Sequence, residues 1–379
     1  PKVAMAPVRP QPPQMITERP PVWMGEHALH ALEQWMAQYA GAHQLYILGD
    51  ENTLAQCLPE LLARVPSLRG AGNIQVRAGE RSKDLEVCRA IWLHLAEQHA
   101  DRQAVLVNLG GGVITDLGGF VAATYKRGIR FIHVPTTVMG MVDAAIGGKA
   151  AIDLGGVKNL VGSFADPVAT CIHPPFLRTL GKREVLNGIA EMIKHGLVLD
   201  ADHWNQVRRA PLHDLQVLAP LIERSASIKA QVVGTDPRDQ GLRKLLNFGH
   251  TIGHALEAFA LESPQRTLLH GEAVAIGMVC ATWLSWRTGS LDRDRMNAVE
   301  EHLMGLFPAF GFEASDHHRI LELMRNDKKN SGGEFRFTLL TGIGSAQVDV
   351  PINAVQVAEA LEHYRLLLPD VHLRHHPQA

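Results

Sequence analysis

The apolar positions of this chain change their period part-way along it. Over residues 44–134, short apolar runs at 44–50, 74–76, 104–109 and 131–134 alternate with helix-patterned stretches such as 82–99. That alternation predicts β-α-β units and a parallel, doubly wound sheet. From about Lys182 onward strand-like runs nearly vanish. A 3.6-residue period takes over at 183–199, 215–233, 249–260, 271–288, 293–306 and 352–367, with one strand-like piece at 334–340. The expected organisation is a proline-rich tail or edge segment over 1–22, an α/β domain over 23–181 and a mostly α-helical domain over 182–379. No internal repeat is visible.

Candidate chemistry sits in the helical half. In Gly249-His250-Thr-Ile-Gly253-His254-Ala-Leu-Glu257, helical spacing puts His250, His254 and Glu257 on one face, and His270-Gly271-Glu272 follows. Imidazoles converging from two segments suit a catalytic zinc, which takes three protein ligands and leaves a position for substrate. The competing reading is a set of capping or satisfied buried histidines. Glycines beside the histidines favour the metal, because glycine in a helix costs about 1 kcal/mol and marks close backbone approach.

Two further segments carry signals. Gly110-Gly111-Gly112 links a predicted strand to a predicted helix that includes Asp116, placing bare N–H groups and a helix N-terminus where a pyrophosphate can sit. The usual third fingerprint glycine is replaced by Thr115, and no acidic residue stands at the usual ribose distance, so a plain tight turn competes with a nucleotide site. Lys, Arg, Asn and Thr then recur beside glycines from Tyr125 to Gly162, the composition of a phosphate or polyhydroxyl site. A solvated basic loop is the alternative for any single lysine.

Composition narrows the classes. With 37 basic against 39 acidic residues and no dense basic block, nonspecific nucleic-acid binding is not expected. The scattered cysteines Cys57, Cys88, Cys171 and Cys280 read as thiols of a reducing compartment. No apolar run approaches the roughly 18 residues of a membrane span, and the first residues lack a signal-peptide core, so a cytoplasmic protein is expected.

In their order along the chain, these motifs resemble the 3-dehydroquinate synthase family of sugar phosphate cyclases. The resemblance covers roughly 49–344. It is carried by Gly110-Gly-Gly-Val-x-x-Asp116, Tyr125-x-Arg127-Gly128, Pro135-Thr136-Thr137, Asp143-x-x-x-Gly-Gly-Lys149, Lys158-Asn159-x-x-Gly162, Phe176-Leu-x-Thr179, Arg183-Glu184, Glu191-x-Ile-Lys194, Leu246-Asn247-Phe-Gly-His250-Thr-Ile-Gly-His254, His270-Gly-Glu272 and Asp327-Lys328-Lys329. It implies an N-terminal Rossmann-like domain binding NAD, a C-terminal helical domain binding a divalent metal (zinc, or cobalt), and a homodimer.

Position by position, the resemblance implies Glu191, His250 and His270 as metal ligands, with His254 acting on substrate. NAD falls to Asp50, Asn52, Glu80, Lys83, Gly111, Asp116, Thr136, Thr137, Lys158, Phe176 and Thr179, with Asp143, Lys149 and Asn159 bordering both ligands. Substrate falls to Arg127, Lys149, Asn159, Lys194, Lys229, Arg243, Asn247, His254 and one of Lys328 or Lys329. The implied catalytic group is Asp143, Lys149, Lys194, Asn247 and His254. Arg243, seven residues before His250, is expected two helical turns away on a similar face.

The implied reaction converts 3-deoxy-D-arabino-heptulosonate 7-phosphate to 3-dehydroquinate and phosphate by oxidation with NAD, phosphate elimination, reduction, ring opening and aldol closure. Ala144, Ala145, Ala150, Gly181 and His173 depart from the family's usual residues. They keep open a sister cyclase acting on sedoheptulose 7-phosphate or another sugar phosphate. A metal-dependent polyol dehydrogenase is the alternative from another class.

Overall fold

In the computed structural model, the described residues are 20–25, 27–38, 44–155, 157–263, 265–325 and 334–368. The first half contains β1 (Val22–Met24), α1 (Ala28–Ala37), β2 (Leu45–Asp50), α2 (Glu51–Gln56), α3 (Leu58–Arg64), β3 (Gly72–Val76), α4 (Leu85–Glu97), β4 (Val105–Gly110), α5 (Gly112–Thr124), β5 (Arg130–Pro135), β6 (Lys149–Leu154), β7 (Val157–Phe164) and β8 (Ala169–Ile172). Six strands form a parallel sheet in the order β1-β8-β5-β4-β2-β3. β4 is buried along its whole length. Its Val105, Val107 and Leu109 face one core with Ile47, Ile132 and Val134, while Leu106 faces a second with Leu48, Phe131 and residues of α4 and α5. Burial on both faces is what a doubly wound sheet requires.

The chain leaves β2 toward β3 on one side and β4 toward β5 on the other. The crevice at the carboxyl ends of β2 and β4 is therefore the switch point where such sheets take ligands.

The second half is built from α6 (Lys182–Leu199), α7 (Ala201–Val207), α8 (Leu215–Thr235), α9 (His250–Leu261), α10 (His270–Arg287), α11 (Arg293–Leu306), α12 (His317–Arg325), β9 (Phe335–Gly342), β10 (Ser345–Ile352) and α13 (Ala354–Leu367). Its core is continuous with the first sheet face. No helix among the described residues is long and apolar enough to cross a membrane, and the four cysteines are buried free thiols.

Two elements differ from expectation. The segment expected as basic loops contains the antiparallel ribbon β6–β7, and the late strand-like run is the first arm of the hairpin β9–β10. The ribbon exposes Leu154, Val157 and Phe164 while carrying Lys149, Lys158 and Asn159. β6 buries only Ala150 and Ile152, and β7 is exposed or half-buried along its whole length, so the hydrophobic pattern gave no clear strand signal.

Candidate metal centre and cofactor cleft

α9 and α10 cross at main-chain contact. A Cβ on Gly277 would lie 1.8 Å from the Gly249 carbonyl oxygen, and one on Gly253 would lie 3.1 Å from that of Ala273. Gly249 itself is left-handed, with φ +79. It breaks the chain between a 3-10 segment, Leu242–Asn247, and α9. Arg243 thus lies outside the helix of His250, and the expected two-turn helical relationship is wrong.

α6 docks against the start of α10. A Cβ on Gly271 would lie 1.9 Å from the Asn187 carbonyl oxygen. The Gly271 N–H donates to Asn187 Oδ1 at 2.6 Å, and Arg183 Nε donates to Glu272 Oε1 at 2.6 Å. Glu272 Oε2 in turn accepts from the Leu269 N–H at 2.8 Å, fixing the turn that presents His270.

These contacts gather Glu191 from α6, His250 from the first residue of α9 and His270 from the first residue of α10. His250 Nε2 is 3.6 Å and His270 Nε2 3.8 Å from Glu191 Oε1. Those separations exceed hydrogen-bond length and approach the ~3.3 Å edge expected between tetrahedral zinc ligands. Both Glu191 carboxylate oxygens are buried; Oε2 meets the Lys194 ammonium, whereas Oε1 faces the two imidazoles with no hydrogen bond. A cation held by the three side chains would satisfy Oε1. Burial alone would raise the Glu191 carboxyl, but Lys194 and the two imidazoles hold it well below the usual carboxylate range. Burial works against protonation of His270, yet Glu257 and Glu191 lift it to about 10.

His254 stands beside the triad, its ring 5.1 Å from that of His250 and 6.0 Å from that of His270. Around the triad lie Lys194, paired with Glu191, and Lys229 of α8, paired with Asp143 of the helical turn Gly140–Ala144. Burial lowers Lys229, and Lys194 and Arg243 add to that effect. Burial also opposes ionisation of Asp143, but Lys229 outweighs it and holds the carboxyl well below its usual range. Arg243 Nη1 donates to the carbonyls of Gly147 and Pro237, both at 3.0 Å. Lys149 pairs with Asp239 at 2.6 Å. Asn247 ends the Leu242–Asn247 segment just before Gly249.

Several of the cofactor candidates lie at or beside the switch point. Gly111 N-caps α5, and the Thr136 N–H donates to the Gly110 carbonyl at 3.0 Å. Thr137 Oγ1 accepts from the Gly140 N–H at 3.0 Å. Lys83 is buried and reaches both Asp116 Oδ2 and Asn159 Oδ1 at 2.5 Å. The close packing usually provided by a third fingerprint glycine is supplied by Gly118, where a Cβ would lie 1.9 Å from Asn108 Oδ1. Asp50 Oδ1 caps α2, accepting from the Asn52 and Thr53 N–H groups at 2.9 and 2.8 Å. Glu80 lies 3.5 Å from Lys158. Phe176 is buried, and Thr179 ends the Pro174–Thr179 turn.

Arg127 is not brought to this place. It follows the C-terminal end of α5, which at 1.5 Å per residue is roughly 20 Å from the glycine turn at the other end. Lys328 and Lys329 lie outside the described residues. Sequence reasoning assigned no site role to His195 or Asp239, and placed Glu257 on the histidine face without ranking it. Glu257 Oε2 accepts from His270 Nδ1 at 2.8 Å, His195 meets Ser225 Oγ at 2.7 Å, and Asp239 pairs with Lys149. Only Glu257 had a signal, its place on the face of His250.

The departures from family residues have packing partners. Ala144 Cβ is 3.3 Å from a Cβ built on Gly112, and Ala150 Cβ is 3.0 Å from one on Gly119. His173 pairs with Glu60 at 3.1 Å. Nothing in the structure explains Gly181.

Comparison with known proteins agrees with this geometry. Residues 73–187 match the model of the 3-dehydroquinate synthase N-terminal domain and residues 188–330 that of the C-terminal domain. The 3-dehydroquinate synthase of Parabacteroides distasonis is 41% identical over 324 residues, covering 85% of this chain and 91% of the relative. A 2-epi-5-epi-valiolone synthase from Streptomyces hygroscopicus subsp. jinggangensis, solved with NAD+ and Zn2+ bound, superposes with a TM-score of 0.79 at 25% identity, covering 94% of this chain and 99% of that one. A 2-deoxy-scyllo-inosose synthase complexed with carbaglucose-6-phosphate, NAD+ and Co2+ shares the fold, with a TM-score of 0.78 at 24% identity, covering 90% and 96%. A parallel sheet ending in a glycine turn, a carboxylate and two imidazoles on three helices, and matches to both domain models place the chain in the 3-dehydroquinate synthase family.

Proposed function

We propose that the chain is a 3-dehydroquinate synthase, converting 3-deoxy-D-arabino-heptulosonate 7-phosphate to 3-dehydroquinate and phosphate with NAD and a divalent metal, zinc or cobalt. The observation that carries this reading is the meeting of three features in one place. The Glu191–His250–His270 triad and the buried cations Lys194, Lys229 and Arg243 surround the segment from Asp143 to Gly147, whose Ala144 packs against Gly112 of the glycine turn. A polyol dehydrogenase needs the triad and the glycine turn. A substrate carrying both a carboxylate and a phosphate calls for the cations.

Glu191, His250 and His270 hold the metal, which when bound supplies Lewis-acid polarisation of the hydroxyl being oxidised and of the carbonyl it becomes. Gly111, Lys83, Asp116, Thr136 and Thr137 hold NAD, the hydride acceptor and donor. Lys194, Lys229 and Arg243 stay fixed around the changing substrate charge, with less reorganisation than water would need. His254 and Asn247 lie at the triad's edge, placed to bind substrate and move protons at its oxygens. Arg127 can serve this site only from a second copy. That requirement, with the exposed Leu154, Val157 and Phe164 of the β6–β7 ribbon, supports a homodimer. Four buried free thiols support a reducing, cytoplasmic setting.

The test is to incubate the zinc-loaded protein with the keto acid phosphate and a trace of NAD, following phosphate and NADH. Phosphate in large molar excess over NAD, without net NADH, is expected. Faster phosphate release from sedoheptulose 7-phosphate points instead to a sister cyclase, and stoichiometric NADH to a dehydrogenase.

A further inference from the structure

A second carboxylate lies behind the metal triad, with both of its oxygens engaged. Glu257 of α9 is buried, and its Oε2 is 2.8 Å from His270 Nδ1. Its Oε1 receives Lys158 Nζ at 3.0 Å from β7, ninety-nine residues away on the cofactor side of the molecule. Lys158 also lies 3.5 Å from Glu80, at the cofactor cleft. A continuous chain of charged contacts thus runs Glu80, Lys158, Glu257, His270, Glu191.

Two sets of donors with metal-binding spacing share His270: Glu191–His250–His270, and His254–Glu257–His270. An imidazole has one nitrogen to offer a metal once the other is committed. With Nδ1 turned to Glu257, His270 presents Nε2 toward Glu191. With Lys158 against its other oxygen, Glu257 is held as a hydrogen-bond acceptor and kept from turning to the cation itself.

Resting on the reading of this pocket as a metal centre, we infer that Glu257 is a positioning residue with two duties. It orients His270 as a ligand of the Glu191–His250 set, and through Lys158 it links the metal centre to the cofactor domain. Occupation of the metal site and of the NAD cleft is then thermodynamically coupled, and by linkage the coupling is reciprocal.

The experiment uses the full chain without substrate. Cobalt affinity is measured against a competing chelator, the visible cobalt band is recorded, and NAD affinity is measured on cobalt-loaded and metal-stripped protein. In the unmodified protein, cobalt loading is expected to change NAD affinity about 5-fold or more. E257A is expected to weaken cobalt about 10- to 100-fold, alter the band and abolish the coupling. E257Q keeps an acceptor for His270 but loses the charge that holds Lys158, and K158M removes the bridge from the other side. Both are expected to keep the cobalt band and to lose the coupling. Should E257A not fold, E257D supplies the same metal readout, because it keeps the charge but withdraws the carboxylate by one methylene. Unchanged cobalt affinity and band in E257A or E257D overturn the orienting role. Absent coupling in the unmodified protein, or coupling that survives in E257Q or K158M, overturns the link. Because no sugar phosphate enters these measurements, their failure and failure of the synthase reading are told apart.

Discussion

Arg243 reaches from the helical half to the carbonyl of Gly147, Nη1 to O at 3.0 Å, and so anchors the turn that precedes Lys149. It is buried and supplies a cation beside Lys229. Arg243→Ala is expected to lower kcat/KM for the keto acid by roughly 30-fold or more, equivalent to about 2 kcal/mol, because a desolvated partner charge is left unpaired. Arg243→Lys should recover little, since an ammonium cannot reproduce the fork. Steady-state kinetics decides it, and an alanine variant with unaltered kcat/KM would remove Arg243 from the substrate site.

Metal content separates the two histidines of α9. His250→Ala leaves two protein ligands and should lose the metal together with activity. His254→Ala should retain a full equivalent of metal and lose turnover. Elemental analysis of both purified variants tests the pair, and retention of zinc by His250→Ala would reject the triad.

Gly118 sets how close α5 comes to β4. Gly118→Ala forces a methyl group onto Asn108 and is expected to destabilise the chain by about 1–3 kcal/mol and to weaken NAD binding. Truncating the obstruction, in Gly118→Ala with Asn108→Ala, should recover much of the loss. Thermal melts and NAD titrations on the single and double variants show whether the effects couple or merely add.

His133 faces Asn108 from the neighbouring strand, and burial pushes its pKa down from 6.5 to about 3. The folded ring stays neutral where the unfolded ring gains a proton. Its contribution is therefore complete above pH 6.5 and declines as pH falls from there to about 3, by roughly 1.4 kcal/mol per pH unit at most. A plot of Tm against pH for His133→Gln should be flatter in that window than for the unmodified protein. Parallel curves would exclude the effect.

The long periodic segments were legible from sequence. The pattern at 293–306 coincides with α11 (Arg293–Leu306), and the run at 104–109 lies within a residue of β4 (Val105–Gly110) at each end. The β6–β7 ribbon was not, because β7 buries no residue and the alternation of β6 rests on Ala150 and Ile152 alone. Within the site, spacing put His250, His254 and Glu257 on one face but could not rank them as ligands. Glu191 enters from another helix, and only its resemblance to a family motif marked it beforehand. The helix expected to include Arg243 failed at Gly249, whose left-handed backbone ends one element and begins another.

The contact of α9 with α10 through Gly249, Gly253 and Gly277 has a consequence for how this site can diverge. Main chain rests on main chain there, so the separation of His250 from His270 is set by backbone geometry and not by the volume of neighbouring side chains. Residues that select among sugar phosphates can then be exchanged around the pocket while the metal's coordination geometry stays put. Larger residues at those three glycines, in contrast, would alter the centre before they altered specificity.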